Sequence, residues 1–266
     1  MTYRRTTGQS VSLLSARNEP DAKRWAEARL DRSLLLLGDL TVPLRALARF
    51  SVLHAESSQR VRGLAVKFNG FDIPVSSIVA DDEDAAGSLL AAVRDLRGYL
   101  VVSSEQKLPR AVSYRIESTD PWMVAVCEDS TETRSKNAEA VRDPVEMEDF
   151  LRVQGMRFWS PSMFRFGHTF GVRSVDGRLI CAGGVNFVLE DLGYAHIGPI
   201  VTDAAERGRS FGSQVLAAMR CSLASAGIRH CGLFADGADP GLVRYYVRHG
   251  FDRRGEFHFL KALPGS

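Results

Sequence analysis

His196-Ile197-Gly198-Pro199-Ile200-Val201-Thr202, followed shortly by Arg207-Gly208-Arg209-Ser210-Phe211-Gly212-Ser213, is the stretch that decides how the chain is read. The first part is a β-rich apolar run and the second a turn built on glycine and arginine. Beyond the turn, Val215, Leu216, Met219 and Leu223 recur at the spacing of one apolar helical stripe. Gly227 supplies the stop. A strand, a turn and a helix start in succession offer a row of unpaired backbone N–H groups, and the helix macrodipole adds about 0.3–1 kcal/mol for an anion placed there. Phosphate is the ligand class this favours, with Arg207 and Arg209 adding positive charge. A plain strand-to-helix link with both arginines solvated fits the fragment equally well. The commoner nucleotide turns are a poor match: no Gly-Lys-Ser or Gly-Lys-Thr closes this one, and only Gly208 and Gly212 stand where a dinucleotide fingerprint needs glycine at three positions.

About thirty residues on comes Asp239-Pro240-Gly241-Leu242-Val243-Arg244-Tyr245-Tyr246-Val247-Arg248-His249-Gly250-Phe251, a short helix with an acidic cap, proline at its first position and glycine just past its end. The two segments together resemble the GNAT superfamily of acyl-CoA-dependent N-acyltransferases. In that family an Arg/Gln-x-x-Gly-x-Gly/Ala turn cradles the coenzyme A pyrophosphate, and a later Asn-x-x-Ala-x-x-Leu-Tyr-x-x-x-Gly-Phe segment brings a tyrosine to the thioester sulfur. The resemblance covers roughly 137–260. It implies cofactor contacts from Ile200, Val201 and Thr202 to the pantetheine arm, and from Arg207, Gly208, Arg209, Ser210, Phe211, Gly212 and Ser213 to the pyrophosphate, with Tyr246 as the catalytic tyrosine. Two positions depart from the pattern. Ser210 stands where the middle glycine is usual, at a strain of about 1 kcal/mol if the site needs a positive φ. Asp239 replaces the asparagine, keeping the cap and bringing a negative charge towards a polyanionic cofactor.

The chain has 266 residues, 45% hydrophobic and 25% charged, with a formal net charge of +2. That length allows one large or two small units, and two are expected: an N-terminal α+β domain over 1–130 and an acetyltransferase domain over 131–266. The near-balanced charge gives no reason to expect nucleic acid. The longest apolar run, Trp122 to Cys127, is too short for a bilayer and the N-terminus lacks a signal-peptide core, so no membrane partner and a cytoplasmic location are expected. Cys127, Cys181, Cys221 and Cys231 have no metal-ligand spacing and read as reduced core residues, so no metal is expected.

In the first half a helix is expected from about Asp21 to Leu37 and the pattern continues through Val42 to Leu53. A hairpin follows from Val61 to Ala80 around Asn69-Gly70. A helix over Ala85–Leu96 comes next, then strands at Tyr99–Ser103, Ala111–Ile116 and Trp122–Cys127. The polar stretch 128–137 reads as a linker. Asp143-Pro144-Val145-Glu146 then opens a helix. Strands are expected at Thr169–Ser174, Arg178–Phe187, Ala195–Thr202, His230–Ala235 and Arg254–Leu260. The fold class is α+β (mixed α/β). In the second half the resemblance implies a splayed mixed sheet flanked by helices. The first half is either a degenerate copy of the same fold, similar to glycine N-acyltransferase-like proteins, or an unrelated α+β domain.

Acyl transfer to an amine needs a neutral nucleophile, a polarised thioester and a proton for the departing thiolate. A lysine-type amine with pKa about 10.4 is neutral in only about four molecules per ten thousand at neutral pH, so the need for a base depends on the acceptor. His196 and Glu190, near the strand bordering the acceptor, are the candidate bases, with water an alternative relay. A phenol such as Tyr246 stays protonated at neutral pH and suits thiolate departure, with Tyr245 its competitor. Phe158 and Trp159, in an aromatic run, are candidates for the acceptor wall. The expected activity is acetyl transfer from acetyl-CoA to the primary amine of a small molecule or amino acid, in a ternary complex; a homodimer is allowed. A non-catalytic coenzyme A sensor or scaffold, and a protein lysine or N-terminal acetyltransferase, are the alternatives.

Overall fold

The structure is a computed structural model and describes residues 3–5, 9–93, 98–110, 113–128 and 137–262. In chain order the first elements are β1 (Tyr3–Arg5), β2 (Gln9–Leu13), α1 (Glu19–Glu27), α2 (Leu30–Asp39), α3 (Val42–Arg45), β3 (Ala48–Ala55), β4 (Val61–Phe68) and β5 (Val75–Ala80). Then come α4 (Glu83–Val93), β6 (Tyr99–Ser103), β7 (Tyr114–Val126), β8 (Glu139–Ala140), α5 (Pro144–Val153), β9 (Phe170–Arg173) and β10 (Leu179–Leu189). The last are β11 (Tyr194–Thr202), α6 (Phe211–Ser225), β12 (His230–Phe234), α7 (Pro240–Arg248) and β13 (Asp252–Ala262). The chain divides into two compact units: Met1–Trp122 with Phe234–Pro240 and Arg254–Ser266, and Met123–Leu233 with Gly241–Arg253. The chain therefore passes between them more than once, and its C-terminal strand is part of the first unit.

In the first unit β2, β3, β4 and β5 form an antiparallel run, and β5 then pairs in parallel with β6 through Val75↔Tyr99, Ser76↔Leu100 and Ser77↔Val101. Helix α4 makes the crossover between those two strands. On its other side β6 takes β13, with Phe257 opposite Ser103 and Leu260 opposite Leu100. Leu53, Ile78, Leu89, Leu100 and Leu260 are sealed into one core. Each such side chain contributes about 1.5–3 kcal/mol.

The second unit repeats this succession. An antiparallel run β8-β9-β10-β11 is followed by helix α6 and then by β12, which pairs in parallel with β11. The stripe expected on α6 is the buried face, with Val215, Leu216, Met219 and Leu223 all at most 1% exposed. Asp143 caps α5, its side chain accepting from the Val145 amide at 2.9 Å. All four cysteines are buried and free.

Several local expectations differ from what forms. The helix expected over 21–37 breaks at Arg29, whose guanidinium folds back over the Trp25 ring at 4.2 Å and bonds to the Trp25 carbonyl. Residues 48–55 are a strand, not a continuation of helix. The Asn69-Gly70 hairpin exists, but Gly70 packs on Phe68 and the second strand starts only at Val75, making a wide turn. One strand, β7, runs through Pro121 where two were expected. The expected linker residues 129–136, and Leu96 and Ala111 at the ends of two expected elements, lie outside the described residues.

Candidate functional site

The site is built on the open end of β11. That strand pairs with β10 as far as Cys181↔Thr202, Ala182↔Val201 and Gly183↔Ile200, but its parallel ladder with β12 covers only Tyr194↔His230, Ala195↔Cys231 and His196↔Gly232. From Ile197 onwards β11 has left the ladder, and Gly198 to Thr202 are half-buried. An extended polar chain can add itself to such an edge through main-chain hydrogen bonds.

After Thr202 the chain turns. The Asp203 side chain accepts from the Ala205 amide at 3.1 Å and takes Arg178 at 2.8 Å, and Arg207 Nε donates to the Thr202 carbonyl at 3.4 Å. Gly208 has φ +78°. Ser210 is left-handed, at φ +62° and ψ +17°. Helix α6 starts at Phe211 with no side-chain cap and no acidic residue in its first turn. Its first N–H groups are left for water or a ligand. Arg209 pairs with Glu206 at 2.5 Å and lies over the Phe211 ring, so its charge is shared with a carboxylate.

The corresponding helix of the first unit is closed. Glu83 and Asp84 occupy the first turn of α4, and the Asp82 carboxylate accepts from the Ala85 amide at 2.9 Å. Beside it, where β5 runs past its paired stretch with β6, the Gln106 side chain accepts from the Ala80 amide at 2.8 Å. The chain's own carboxylates and amide thus fill in the first unit the positions that an anion and an extended arm could take in the second.

Helix α7 carries both tyrosines. Tyr246 is buried, set edge-on against Phe251 and Tyr245, and burial pushes its phenol above the ordinary value. The Tyr245 hydroxyl lies 3.1 Å from Ser213 Oγ, at the first turn of α6. Ser213 Oγ is in turn 3.0 Å from His249 Nε2, and His249 Nδ1 is 2.8 Å from the Tyr245 carbonyl. Burial raises the Tyr245 phenol and the Ser213 hydrogen bond opposes it. The Tyr245–His249 spacing of one helical turn was legible; no sequence signal joins either residue to Ser213.

The other expected residues fall as follows. His196 is 3% exposed, stacked on Phe187 at 5.2 Å with Tyr194 Oη 3.3 Å from Nδ1, and burial pushes its imidazole down to about 3. A ring held neutral that firmly is a poor proton acceptor at neutral pH, which counts against it as a base. Glu190 lies on an exposed 3-10 turn, Glu190–Leu192, at the closed end of the β10–β11 hairpin, where β11 is still paired on both sides. Trp159 is 9% exposed and packs over Gly184, where a Cβ would come within 2.8 Å of its ring, and its indole Nε1 has no hydrogen-bond partner among the described residues. Phe158 is half-buried beside it in sequence. Asp239 is exposed, in the Phe234–Pro240 segment of the first unit. Among the described residues no group of His, Cys, Asp and Glu could hold a metal ion, and no helix is long and apolar enough to cross a membrane.

The parallel pair β11–β12, which parts after three rungs, and the uncapped helix α6 between its strands lie within the segment that known acyltransferases match. Residues 130–251 match the acetyltransferase (GNAT) family. Among solved structures, a GCN5-related N-acetyltransferase from Sphaerobacter thermophilus is 13% identical with a TM-score of 0.65, over 97% of each chain. A tandem GNAT protein from the clavulanic acid biosynthesis pathway is 14% identical with a TM-score of 0.62, over 97% of this chain and 100% of that one. A Drosophila protein is 15% identical with a TM-score of 0.65, over 96% and 99%. These likenesses are of fold. No curated protein matches the chain.

Proposed function

We propose that the protein transfers an acetyl group from acetyl-CoA to a primary amine of a small molecule or amino acid, by direct attack within a ternary complex. The observation that carries this reading is the start of α6, whose amides are uncapped and whose first turn holds no acidic residue, directly after a strand edge that has left its ladder. The thioester brings an activated acyl carbon and the diphosphate a pair of negative charges. The amides around Ser210 to Ser213 are oriented to receive those charges, with Arg207 alongside. The Ile200–Thr202 edge of β11 takes the pantetheine amides, and an N–H of Val201 or Thr202 polarises the thioester carbonyl.

The amine nitrogen bonds to the acyl carbon as the carbon–sulfur bond breaks. Tyr246 supplies the proton that the sulfur needs, and burial keeps that phenol protonated across neutral pH, as a donor must be. The amine sheds its proton to water, since His196 is held neutral deep in the sheet and Glu190 sits at the hairpin's closed end. Phe158 and Trp159 form one wall for the acceptor, with Phe158 the more exposed of the two.

Two measurements test this reading. Acetyl-CoA at about one hundred times its Kd adds about 2.7 kcal/mol of stability, seen as a thermal shift. Thiol release with a panel of amines is then compared between wild type and Tyr246→Phe, with a loss of about 10²- to 10⁴-fold in kcat expected for a proton donor. A thermal shift without turnover of any amine leaves a coenzyme A sensor as the function, and unchanged rates in Tyr246→Phe remove that residue from the mechanism.

A further inference from the structure

The hydrogen bonds joining α7 to the start of α6 have a fixed direction. A carbonyl only accepts, so His249 Nδ1 carries the proton in its 2.8 Å bond to the Tyr245 carbonyl. In the neutral ring Nε2 is then an acceptor, and the 3.0 Å contact to it takes the single proton of the Ser213 hydroxyl. Ser213 Oγ is left to accept from the Tyr245 hydroxyl 3.1 Å away. Both hydroxyl protons therefore point inward, along the chain Tyr245 to Ser213 to His249.

These hydroxyls surround the second residue of α6. A Cβ placed at Gly212 would lie 3.6 Å from Tyr245 Oη and 3.7 Å from Thr202 Oγ1, and Thr202 Oγ1 itself donates to Cys181 Sγ at 3.2 Å. With His249 neutral, an anion on this turn meets the oxygen lone pair of Ser213 and not its proton. A proton on Nε2 reverses the chain: Nε2–H then donates to Ser213 Oγ, and the Ser213 and Tyr245 protons are released to turn outwards. Around the ring, Arg220 of α6 holds the His249 carbonyl at 2.9 Å, and the Tyr245 ring lies 4.2 Å from the imidazole. The Cys181 thiol on β10 acts electrostatically on the Tyr245 phenol, and Arg207 and Arg209 stand on the turn itself.

We infer that His249 is a positioning residue for the diphosphate, and that seating a diphosphate at the start of α6 is coupled to uptake of a proton by His249 Nε2, which turns the Ser213 and Tyr245 hydroxyls towards the ligand. This rests on reading Arg207–Ser213 as the diphosphate site. The balance is at most one proton taken from the buffer onto the imidazole for each ligand bound, the uptake being the change in its protonated fraction, with no other bond formed or broken.

Calorimetric titration of the full chain at neutral pH tests it, with dephospho-coenzyme A as the probe because that ligand has no titrating phosphomonoester. Binding is measured in buffers of different ionisation enthalpy, whose slope gives the protons taken up. Wild type is expected to take up a proton fraction that disappears in His249→Gln and in Ser213→Ala, each binding about tenfold more weakly for loss of a hydrogen bond to a charged group. Unchanged thermal unfolding of the unliganded variants separates this from misfolding, and the two substitutions lie on different elements, Ser213 in α6 and His249 in the turn after α7. Binding by wild type with no dependence on buffer overturns the coupling and leaves the cofactor site standing, as does equal uptake in both variants. No binding by wild type overturns the cofactor site and the coupling together.

Discussion

Replacing Ser210 with glycine should stabilise the protein, and replacing Gly208 with alanine should destabilise it. Ser210 is held at φ +62° and ψ +17° in a turn where the preceding Gly208 has φ +78°. The left-handed region costs an L-residue about 1–2 kcal/mol, while glycine adds about 0.5–1 kcal/mol of unfolded-state freedom. The Ser210 side chain makes no capping bond that the change would lose. Ser210→Gly is therefore expected to gain from about 0 to 1.5 kcal/mol, or up to roughly 3–6 °C in Tm for a chain of this size. Gly208→Ala meets no atom within 4 Å of the new Cβ, so its cost is backbone strain of about 1–2 kcal/mol less the about 0.5–1 kcal/mol of unfolded-state freedom that alanine lacks, a net loss of about 0–1.5 kcal/mol. Thermal unfolding of the two variants beside wild type reads both shifts. A Ser210→Gly protein that loses more than about 1 kcal/mol, or a Gly208→Ala protein more stable than wild type by about 1 kcal/mol, would refute the assignment of left-handed strain to this turn.

Two further outcomes follow from other parts of the chain. Asp82→Ala removes the carboxylate that caps α4 at the Ala85 amide and pairs with Arg62, and chemical denaturation should show a loss of about 0.5–2 kcal/mol. His196 is depressed from 6.5 to about 3 by burial, so the unfolded chain takes up the proton first on acidification; the stabilisation is complete above pH 6.5 and lost as pH falls towards 3. Stability measured by urea unfolding should therefore decline below pH 6.5 by at most about 1.4 kcal/mol per pH unit from this group, and the decline should be shallower in His196→Gln. Burial shifts His168 the same way, so some slope remains in that variant; a slope identical to wild type would mean that His196 is not held neutral.

The second unit was largely legible because its signals are local. The Val215–Leu223 stripe, the Asp143 cap and the turn at Gly208 each depend on residues a few positions apart, and each forms where its chemistry places it. The first unit repeats the succession of strands and crossover helix, but the repeat is one of topology. The second unit joins strand to helix through 203–210, which carries Arg207, Gly208 and Arg209, whereas the first does so through Asp81-Asp82 alone with Glu83 and Asp84 opening the helix, so residue patterns conceal the copy. Pairing of β13 with β6 joins residues more than 150 positions apart, which no local periodicity encodes. At the site, the tyrosine spacing was visible and the burial of His196 was not, since an alternating strand pattern does not say that both faces of the sheet will be covered. The link from Ser213 to His249 spans two helices and needed the packing of α6 against α7.

The most direct test of the account is the number of coenzyme A molecules bound per chain, measured by calorimetric titration of wild type and Gly212→Asp. A Cβ at Gly212 meets nothing closer than 3.6 Å, so this substitution puts a carboxylate at the start of α6 without a clash at that atom. The account predicts one site per chain, because Asp82 and Gln106 close the first unit, and loss of that site in Gly212→Asp. Two sites per chain, none, or binding undiminished by the introduced carboxylate would contradict it.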